Sequence, residues 1–185
     1  MRKRKLNRLK GYDYSKNNLY FVTNCVKNNL CCLGNVISVG TGRDLSVHNS
    51  ENHHPENHHS EIKYEMELNP FGLIVEEKIN WLMIQYPYVE IHNYVIMPNH
   101  FHFILEINSL KIKNAAIKIK SLSSLMGALK STSSKQIHDL GFEDFAWHRS
   151  FHDHIIRNEK SYQKISKYID LNPQKWFVDK FYLKF

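Results

Sequence analysis

Two histidines at a spacing of two residues are the first feature of this sequence that could do chemistry. His100 and His102 lie in the run YVIMPNHFHFILEI, which is otherwise mostly apolar. Residues i and i+2 of a β-strand point to the same face, so the two imidazoles would stand side by side, with Phe101 in the opposite layer. Such a pair can bind one cation. It can equally be a pair of half-buried, hydrogen-bonded histidines, and the motif alone does not decide between the two interpretations.

A tyrosine and an asparagine near the C-terminal end of the sequence supply two further groups. Tyr168 and Asn172 are four residues apart in YIDLNPQKW, so they share one face of a helix. The tyrosine hydroxyl could act as a nucleophile or a hydrogen-bond donor, and the asparagine oxygen as a hard metal ligand. The alternative is that Tyr168 packs in the core and Asn172 only ends the helix before Pro173.

The four side chains make chemical sense as one set. His100, His102 and Asn172 can hold Mg²⁺ or Mn²⁺ with positions open for phosphate oxygens. Such a cation polarises a phosphodiester and stabilises the charge of the transition state. Tyrosine has a free pKa of about 10 and is a poor nucleophile alone, but a nearby cation favours its phenolate. Attack by Tyr168 would leave a covalent phosphotyrosine.

The strands that must position the histidines are predicted from short apolar and aromatic runs. Residues 19–26 and 31–39 are predicted to pair as one hairpin, because the loop between them holds Asn28-Asn29. Residues 88–97 and 100–107 are predicted to pair as a second hairpin across the break at Pro98-Asn99. Residues 147–157 are predicted to form a short strand or extended segment.

Three helices are predicted from apolar periodicity and capping signals, at 68–87, 114–140 and 158–173. Asn69 and Asn158 are good N-caps, Pro70 suits the first helical position, and Pro173 stops the last helix. Antiparallel strand pairs separated by helices indicate an α+β fold, with helices packed on one antiparallel sheet. A ferredoxin-like sheet is the natural candidate.

The domain organisation is predicted to be a single unit over residues 1–185, with 40–66 as a loop insertion. This segment has no apolar period and is rich in Gly, Ser, Asn and His. Four of its five histidines form two adjacent pairs that could bind a transition metal, although an exposed loop is the favoured interpretation; they are His53, His54, His58 and His59.

Charge and composition point to a polyanionic partner. The net charge is +7 and the pI is about 9.2, which favours nucleic acid over a membrane surface. The segment 107–138 contains lysines but no Asp or Glu. A basic N-terminal block is predicted to contact DNA phosphates, with the alternative of a solvated, frayed end; its residues are Arg2, Lys3, Arg4, Lys5, Arg8 and Lys10.

A second basic cluster precedes the last predicted helix. Arg149, His154 and Arg157 lie close to the proposed nucleophile in sequence, together with His152. They would suit a DNA backbone, although a solvated strand edge explains them equally well.

The number of cysteines and the hydropathy of the sequence limit the cellular compartments in which this protein is expected to act. The three cysteines are odd in number and form no C-x-x-C pair, which argues against a disulfide framework and for a reducing compartment. The basic start is not followed by an apolar segment of the kind found in a secretory signal. No apolar run approaches the ~20 residues of a membrane helix. The protein is therefore expected to be cytoplasmic and not to act in a membrane.

The sequence resembles a known family at four places. MPNHFHFIL resembles the HUH motif (His, hydrophobic, His) of single-tyrosine transposases, and YIDLNPQKW resembles their catalytic helix. RLKGYDYS and WHRSFHDHIIRNEKSYQKI resemble the branch associated with repetitive extragenic palindromes (REP). Each motif alone is modestly specific, but four in the right order are strongly specific. The resemblance covers nearly the whole chain outside 40–66.

The resemblance implies a fold and a reaction. The fold would be a ferredoxin-like (RRM-like) antiparallel sheet with the histidines on a central strand and a C-terminal helix that carries the nucleophile. His100 and His102 match the metal ligands, with Mg²⁺ or Mn²⁺ as the cation. Asn172 matches the third ligand, which is Gln in other branches. Tyr168 matches the nucleophile, which leaves a 5′-phosphotyrosine link and a free 3′-OH on single-stranded DNA.

The same resemblance implies the substrate and the assembly. The family recognises hairpins of folded-back single strands, and rejoining reverses the cleavage, so no ATP is needed. In the REP branch the N-terminal segment helps recognise a single-stranded guide beside the hairpin. That branch can work as a monomer, whereas other branches are homodimers that exchange the tyrosine helix.

Three other functions compete with this interpretation. A non-catalytic RRM-like module would bind single-stranded nucleic acid through aromatic side chains on the sheet, but this strand carries histidines instead. A histidine-triad hydrolase needs H-x-H-x-H, and here Phe103-Ile104 follows the second histidine. A zinc hydrolase would need a carboxylate at ligand spacing, which the C-terminal half does not obviously offer.

Overall fold

The structure is a computed structural model that describes residues 9, 11–40, 62–114 and 116–182. Six strands and three helices are found in this part of the chain. In chain order they are β1 (Asn18–Cys25), β2 (Gly34–Val39), β3 (Lys63–Leu68), α1 (Pro70–Gln85), β4 (Val89–Met97), β5 (His100–Ile107), α2 (Leu122–Asp139), β6 (His152–Ile156) and α3 (Glu159–Asp170).

The central sheet has four antiparallel strands in the order β4-β5-β1-β6. Its chain order is strand, helix, strand, strand, helix, strand, which is the ferredoxin-like arrangement predicted from the sequence. β2 and β3 form a separate two-stranded antiparallel ribbon that is inserted between β1 and α1. The predicted α+β fold is therefore confirmed.

Both layers on the sheet follow from the alternation of side chains along its strands. On one face, Tyr20, Phe101 and Phe103 pack in the main core, to which α1 and α2 contribute their apolar stripes. On the other face, Ile104 and Ile156 pack against Ile169 of α3. β5 is covered on both faces, which explains why residues 100–105 are all buried.

The helices α1 and α3 begin at the residues that the capping signals of the sequence predict. The Asn69 side chain accepts hydrogen bonds from the backbone N–H groups of Phe71 and Gly72, both at 3.0 Å, and Pro70 is the first residue of α1. The Asn158 side chain accepts from the N–H of Ser161 at 2.9 Å and so caps α3. These bonds satisfy donors that the first turn of a helix leaves unpaired.

The predicted hairpin of 19–26 with 31–39 is wrong. β1 pairs with β5 on one side and with β6 on the other, so neither of its edges is free. β2 instead pairs with β3, from Gly34 opposite Leu68 to Val39 opposite Lys63. The short loop suggested a local hairpin, but the buried central position of β1 requires partners from distant parts of the chain.

Two further boundaries of the sequence analysis need correction. The insertion predicted over 40–66 is too long, because residues 63–66 belong to β3. The helix predicted over 114–140 begins at Leu122, after the Ser121 cap. Residues 41–61, which include the two histidine pairs of the insertion, lie outside the described residues.

The glycine at position 72 lets α1 approach the segment before β2. A Cβ at Gly72 would lie 2.1 Å from the backbone oxygen of Leu33. We expect Gly72→Ala to destabilise the protein by about 2–3 kcal/mol, because backbone must shift to relieve the overlap. Gly127→Ala, at an exposed site in α2 where an added Cβ meets nothing within 4 Å, should stabilise it by about 0.5–1 kcal/mol. Urea unfolding midpoints measure both effects, and equal shifts would contradict the steric argument.

Within the described residues, no helix combines the length and the apolar character needed to cross a bilayer.

Candidate active site

The two histidines of β5 stand side by side on the face of the sheet that α3 covers. The Nε2 atoms of His100 and His102 are 3.1 Å apart. Both rings are buried, at 0% and 1% exposure, and Phe101 between them points into the main core. The alternation predicted from the H-x-H spacing is therefore observed.

The orientation of His100 is fixed by Asn99. The Asn99 amide nitrogen donates to the backbone oxygens of Asn29 at 3.0 Å and Phe181 at 2.8 Å. Its Oδ1 therefore faces His100 Nδ1, 2.8 Å away, and can only accept a hydrogen bond. His100 must carry its proton on Nδ1, which leaves a lone pair on Nε2 directed at His102.

His102 is held in a similar way by β1. The Thr23 hydroxyl lies 2.8 Å from His102 Nδ1, because Thr23 is the cross-strand partner of His102. The Phe21 ring stacks beside the imidazole at a centroid distance of 5.3 Å. Partners of this kind on the second ring nitrogen are typical of metal-binding histidines.

The gap between the two Nε2 atoms suits a shared cation. His100 Nε2 can only accept a hydrogen bond. The short distance between the two Nε2 atoms therefore requires either a proton on His102 Nε2, donated to His100, or a cation that both nitrogens bind. Two ligands at about 2.1 Å on adjacent octahedral positions lie about 3 Å apart, close to the 3.1 Å observed. The imidazole pair therefore fits a small divalent metal.

Burial keeps both histidines neutral. It lowers the pKa of His100 to about 3, and the positive charge of Lys180 acts in the same direction. Burial also holds the pKa of His102 well below its ordinary value, with further lowering by His100, Lys180 and His152. A neutral imidazole is the form that binds a metal. At neutral pH neither His100 nor His102 therefore has to lose a proton before it binds one.

Acid should unfold the protein through these two buried histidines. The folded-state pKa of His100 is about 3, below the value of about 6.5 of an unfolded chain. Stability is therefore complete above about pH 6.5 and falls as the pH drops toward 3, because the unfolded state binds more protons. The loss over this whole range should be on the order of 5 kcal/mol for His100.

Unfolding free energies measured in EDTA between pH 7 and pH 4 test this expectation. The slope should be shallower in His100→Gln/His102→Gln. Equal slopes in the parent protein and the double variant would contradict the expectation.

Tyr168 lies on α3 above His102. Its hydroxyl is 3.3 Å from His102 Nε2, and its ring meets the Phe21 ring edge-on at 6.1 Å. Burial raises the pKa of Tyr168, Asp179 raises it further, and Asn172 has a smaller, opposite effect. The phenol is thus protonated at neutral pH, and its use as a nucleophile requires a cation or base beside it.

Asn172 follows Tyr168 by one turn and is almost completely buried. Neither its Oδ1 nor its Nδ2 is within normal hydrogen-bond geometry of a described group, although the amide lies close enough to the Tyr168 hydroxyl to lower the pKa of that group. Most of the hydrogen-bonding capacity of this buried amide is therefore open to a ligand. Together with two imidazole nitrogens, an amide oxygen would make a donor set that suits Mg²⁺ or Mn²⁺, which is the role that the sequence predicts for Asn172.

A cavity of about 460 Å³ opens beside these groups, between the sheet, α3 and the C-terminal segment. Tyr168 and His102 line one side, and His148, His152 and Lys180 add positive or titratable groups to its walls.

The structure places only part of the predicted basic surface. Arg149, His154 and Arg157 are exposed, and His154 is paired with Phe21 on the face of the sheet that carries the site. The six N-terminal residues predicted to contact DNA lie outside the described residues; they are Arg2, Lys3, Arg4, Lys5, Arg8 and Lys10.

Sequence reasoning missed Thr23, Asn99 as a partner of His100, and Lys180. Thr23 could have been found only from the register of β1 against β5. Asn99 enters the sequence analysis only as part of a strand break, and no motif in the sequence distinguishes Lys180 from the other lysines.

A second group of potential metal ligands lies farther along β4 and β5. Glu90, His92 and Glu106 bring one ligand atom each to within 4.8 Å of the others. His92 Nε2 is 2.8 Å from Glu106, Glu90 is paired with Lys111, and Tyr162 is 3.4 Å from His92 Nδ1. Since the three groups already have partners, no cation is needed to explain them.

Comparison with known proteins identifies the family. A family described as Transposase IS200 like matches residues 75–172, just over half of the chain. This match includes His100, His102, Tyr168 and Asn172. The chain belongs to the IS200-like transposase family. The family suggested by the sequence motifs is thereby confirmed.

Three further proteins are similar to this chain. An uncharacterized protein of Haemophilus influenzae is 29% identical over 195 residues, covering 95% of this chain and 91% of that protein. The structure of a REP-associated tyrosine transposase bound to a REP hairpin matches with a TM-score of 0.53 at 19% identity, over 94% of this chain and 76% of that chain. This likeness shows a shared fold. A putative transposase from Deinococcus radiodurans R1 matches with a TM-score of 0.46 at 14% identity, over 88% and 95% of the two chains.

Proposed function

We propose that this IS200-like transposase cuts and rejoins single-stranded DNA at hairpins through a covalent 5′-phosphotyrosine at Tyr168. The observation that carries the proposal is the 3.3 Å contact between the Tyr168 hydroxyl and Nε2 of His102. It brings the only proposed nucleophile to the imidazole pair that suits a divalent metal.

In the proposed reaction the Tyr168 oxygen attacks the scissile phosphorus and the bond to the 3′ oxygen breaks. The tyrosine gives up its proton and the leaving 3′ oxygen takes one up, so protons balance. One phosphodiester replaces another, which is why rejoining needs no ATP. Bound Mg²⁺ or Mn²⁺ would polarise the phosphate and favour the phenolate.

Each neighbouring side chain has a definite task in this proposal. His100, His102 and Asn172 would hold the metal. Asn99 and Thr23 orient the two imidazoles through their Nδ1 atoms. Burial of the imidazole pair keeps water from competing for it.

Hairpin DNA is the proposed substrate, and the REP-associated branch is the proposed place of this protein within the family. The support is the motif resemblance and the shared fold with a REP-associated transposase that was solved with a REP hairpin. Exposed Arg149, His154 and Arg157 would contact the DNA backbone, together with the N-terminal basic block.

The nucleophile and the imidazole pair come from one chain. Because Tyr168 contacts His102 of the same protomer, we propose that a monomer carries a complete site. A homodimer that exchanges the tyrosine helix is not required by this geometry.

The non-catalytic RRM-like alternative is disfavoured by the layer arrangement. α3 covers the face on which such a module would stack bases, with Ile169 packed on Ile104 and Ile156. Of the imidazole pair, His102 lines a cavity beside Tyr168 and not an open surface for base stacking.

Covalent capture tests the proposal. Protein is mixed with 3′-labelled single-stranded hairpin oligonucleotides from the DNA flanking its own gene, with Mg²⁺ or Mn²⁺. A labelled band at protein mass that survives SDS and needs the metal is the expected result. Tight hairpin binding without an adduct in either metal would favour the binding-module alternative instead.

A further inference from the structure

The segment after α3 returns across the imidazole pair. The Phe181 ring packs on His100 at a centroid distance of 4.5 Å. The backbone of Phe181 is held at both ends: its carbonyl accepts from Asn99 at 2.8 Å and its N–H donates to Asp179 at 2.7 Å. This segment is therefore attached to the same asparagine that orients His100.

Anchoring of Phe181 places Lys180 in the cavity beside the nucleophile. The Lys180 ammonium lies 4.8 Å from the centroid of the Phe181 ring, and its side chain lines the cavity with His102 and Tyr168. Among the described residues, Lys180 forms no ion pair. It is an exposed cation at the mouth of a site that already suits a metal.

The position of Lys180 opposes the binding of a divalent metal at the imidazoles and favours the binding of a phosphate in the cavity. Its ammonium group shares the cavity with His102, so it opposes any additional positive charge that binds at the imidazoles. A divalent metal meets the same repulsion. A phosphate in the cavity, in contrast, is attracted by the ammonium and by the metal alike.

We propose that Lys180 binds a phosphate of the DNA strand in this cavity, next to the oxygen of Tyr168. The inference rests on the proposed function for the identity of the strand, but it concerns binding and does not require cleavage. Lys180 strengthens DNA binding and at the same time weakens metal binding in the absence of DNA. The metal is thus disfavoured until a phosphate arrives.

The matched control is Lys175, which is an exposed lysine on the same C-terminal segment and does not line the cavity. Lys180→Met, Lys180→Arg and Lys175→Met are each combined with Tyr168→Phe, so that no DNA is cut. Two quantities are measured by calorimetry: the affinity for a single-stranded hairpin oligonucleotide in EDTA, and the affinity for Mn²⁺ without DNA.

We expect Lys180→Met to weaken oligonucleotide binding roughly fivefold and to lower its salt slope by about one. The same substitution should strengthen Mn²⁺ binding at least roughly threefold. Lys180→Arg should keep both affinities near those of the parent protein, and Lys175→Met should leave the Mn²⁺ affinity unchanged.

A purely structural role would weaken both ligands together, and that outcome would overturn the proposal, as would unchanged affinities in Lys180→Met. If the parent protein binds no oligonucleotide, the inference and the proposed function fail together. If a protein with an intact Tyr168 binds the oligonucleotide but forms no covalent adduct, the proposed function is contradicted and the inference about Lys180 still stands.

Discussion

Replacing Tyr168 with phenylalanine should abolish covalent capture of DNA while hairpin binding persists. The substitution removes only the hydroxyl, which lies 3.3 Å from His102 Nε2. Loss of the attacking oxygen should reduce adduct formation at least about 10³-fold. The phenyl ring keeps its edge contact with Phe21, so the free energy of unfolding should change by about 1 kcal/mol or less.

The matched control is Tyr162→Phe, on the same helix. The Tyr162 hydroxyl lies 3.4 Å from His92, away from the imidazole pair, so its removal should leave adduct formation unchanged. Mass spectrometry of the adduct provides the second readout, since the labelled peptide should contain Tyr168. An adduct that forms in Tyr168→Phe, or that maps to another tyrosine, would refute the assignment of the nucleophile.

The parts of the fold that could be predicted from sequence are those whose signals are local. α1 begins at the predicted cap, because Asn69 and Pro70 act within one turn. β5 spans His100–Ile107 as predicted, because its apolar run and the break at Pro98-Asn99 lie next to each other. The face shared by His100 and His102 follows from the two-residue period of any strand.

The parts that could not be predicted depend on pairing between distant segments. The partner of β2 was assigned wrongly because β1 was available by proximity, whereas β3 follows only after the segment 41–61. The sequence KYEMEL of β3 has the polar and apolar alternation of a strand, but the signal is only six residues long and directly follows a long polar stretch, to which the prediction assigns it. A strand of a two-stranded ribbon has one partner and little buried area, so its apolar signal is weak.

The same distinction applies to the candidate site. The side chains that would do the chemistry were visible from their types and spacing, because H-x-H and Y-x-x-x-N are short patterns. Thr23 and Lys180 were not visible, since each reaches the site through tertiary structure: one by the β1–β5 register, the other by the return of the chain over His100. Residues that orient a site are harder to predict than residues that react in it.

Replacing His102 with glutamine should remove metal binding and, with it, adduct formation. The substitution deletes one of the two Nε2 lone pairs that face each other at 3.1 Å. At typical metal sites, removal of a group that only hydrogen-bonds to a ligand lowers metal affinity about 10–100-fold. Removal of a direct ligand should therefore lower the affinity at least about 100-fold. Mn²⁺ calorimetry and the metal dependence of covalent capture measure the two effects. Hairpin binding in EDTA should be unaffected.

The control for this prediction is His92→Gln, because His92 belongs to the second group of potential ligands with Glu90 and Glu106. The two groups lie four residues apart along β5, a distance of about 13 Å, so one metal cannot serve both. Loss of Mn²⁺ binding in His92→Gln with retention in His102→Gln would move the metal away from Tyr168. The cation could then no longer activate the phenol, and the proposed chemistry would need a different base.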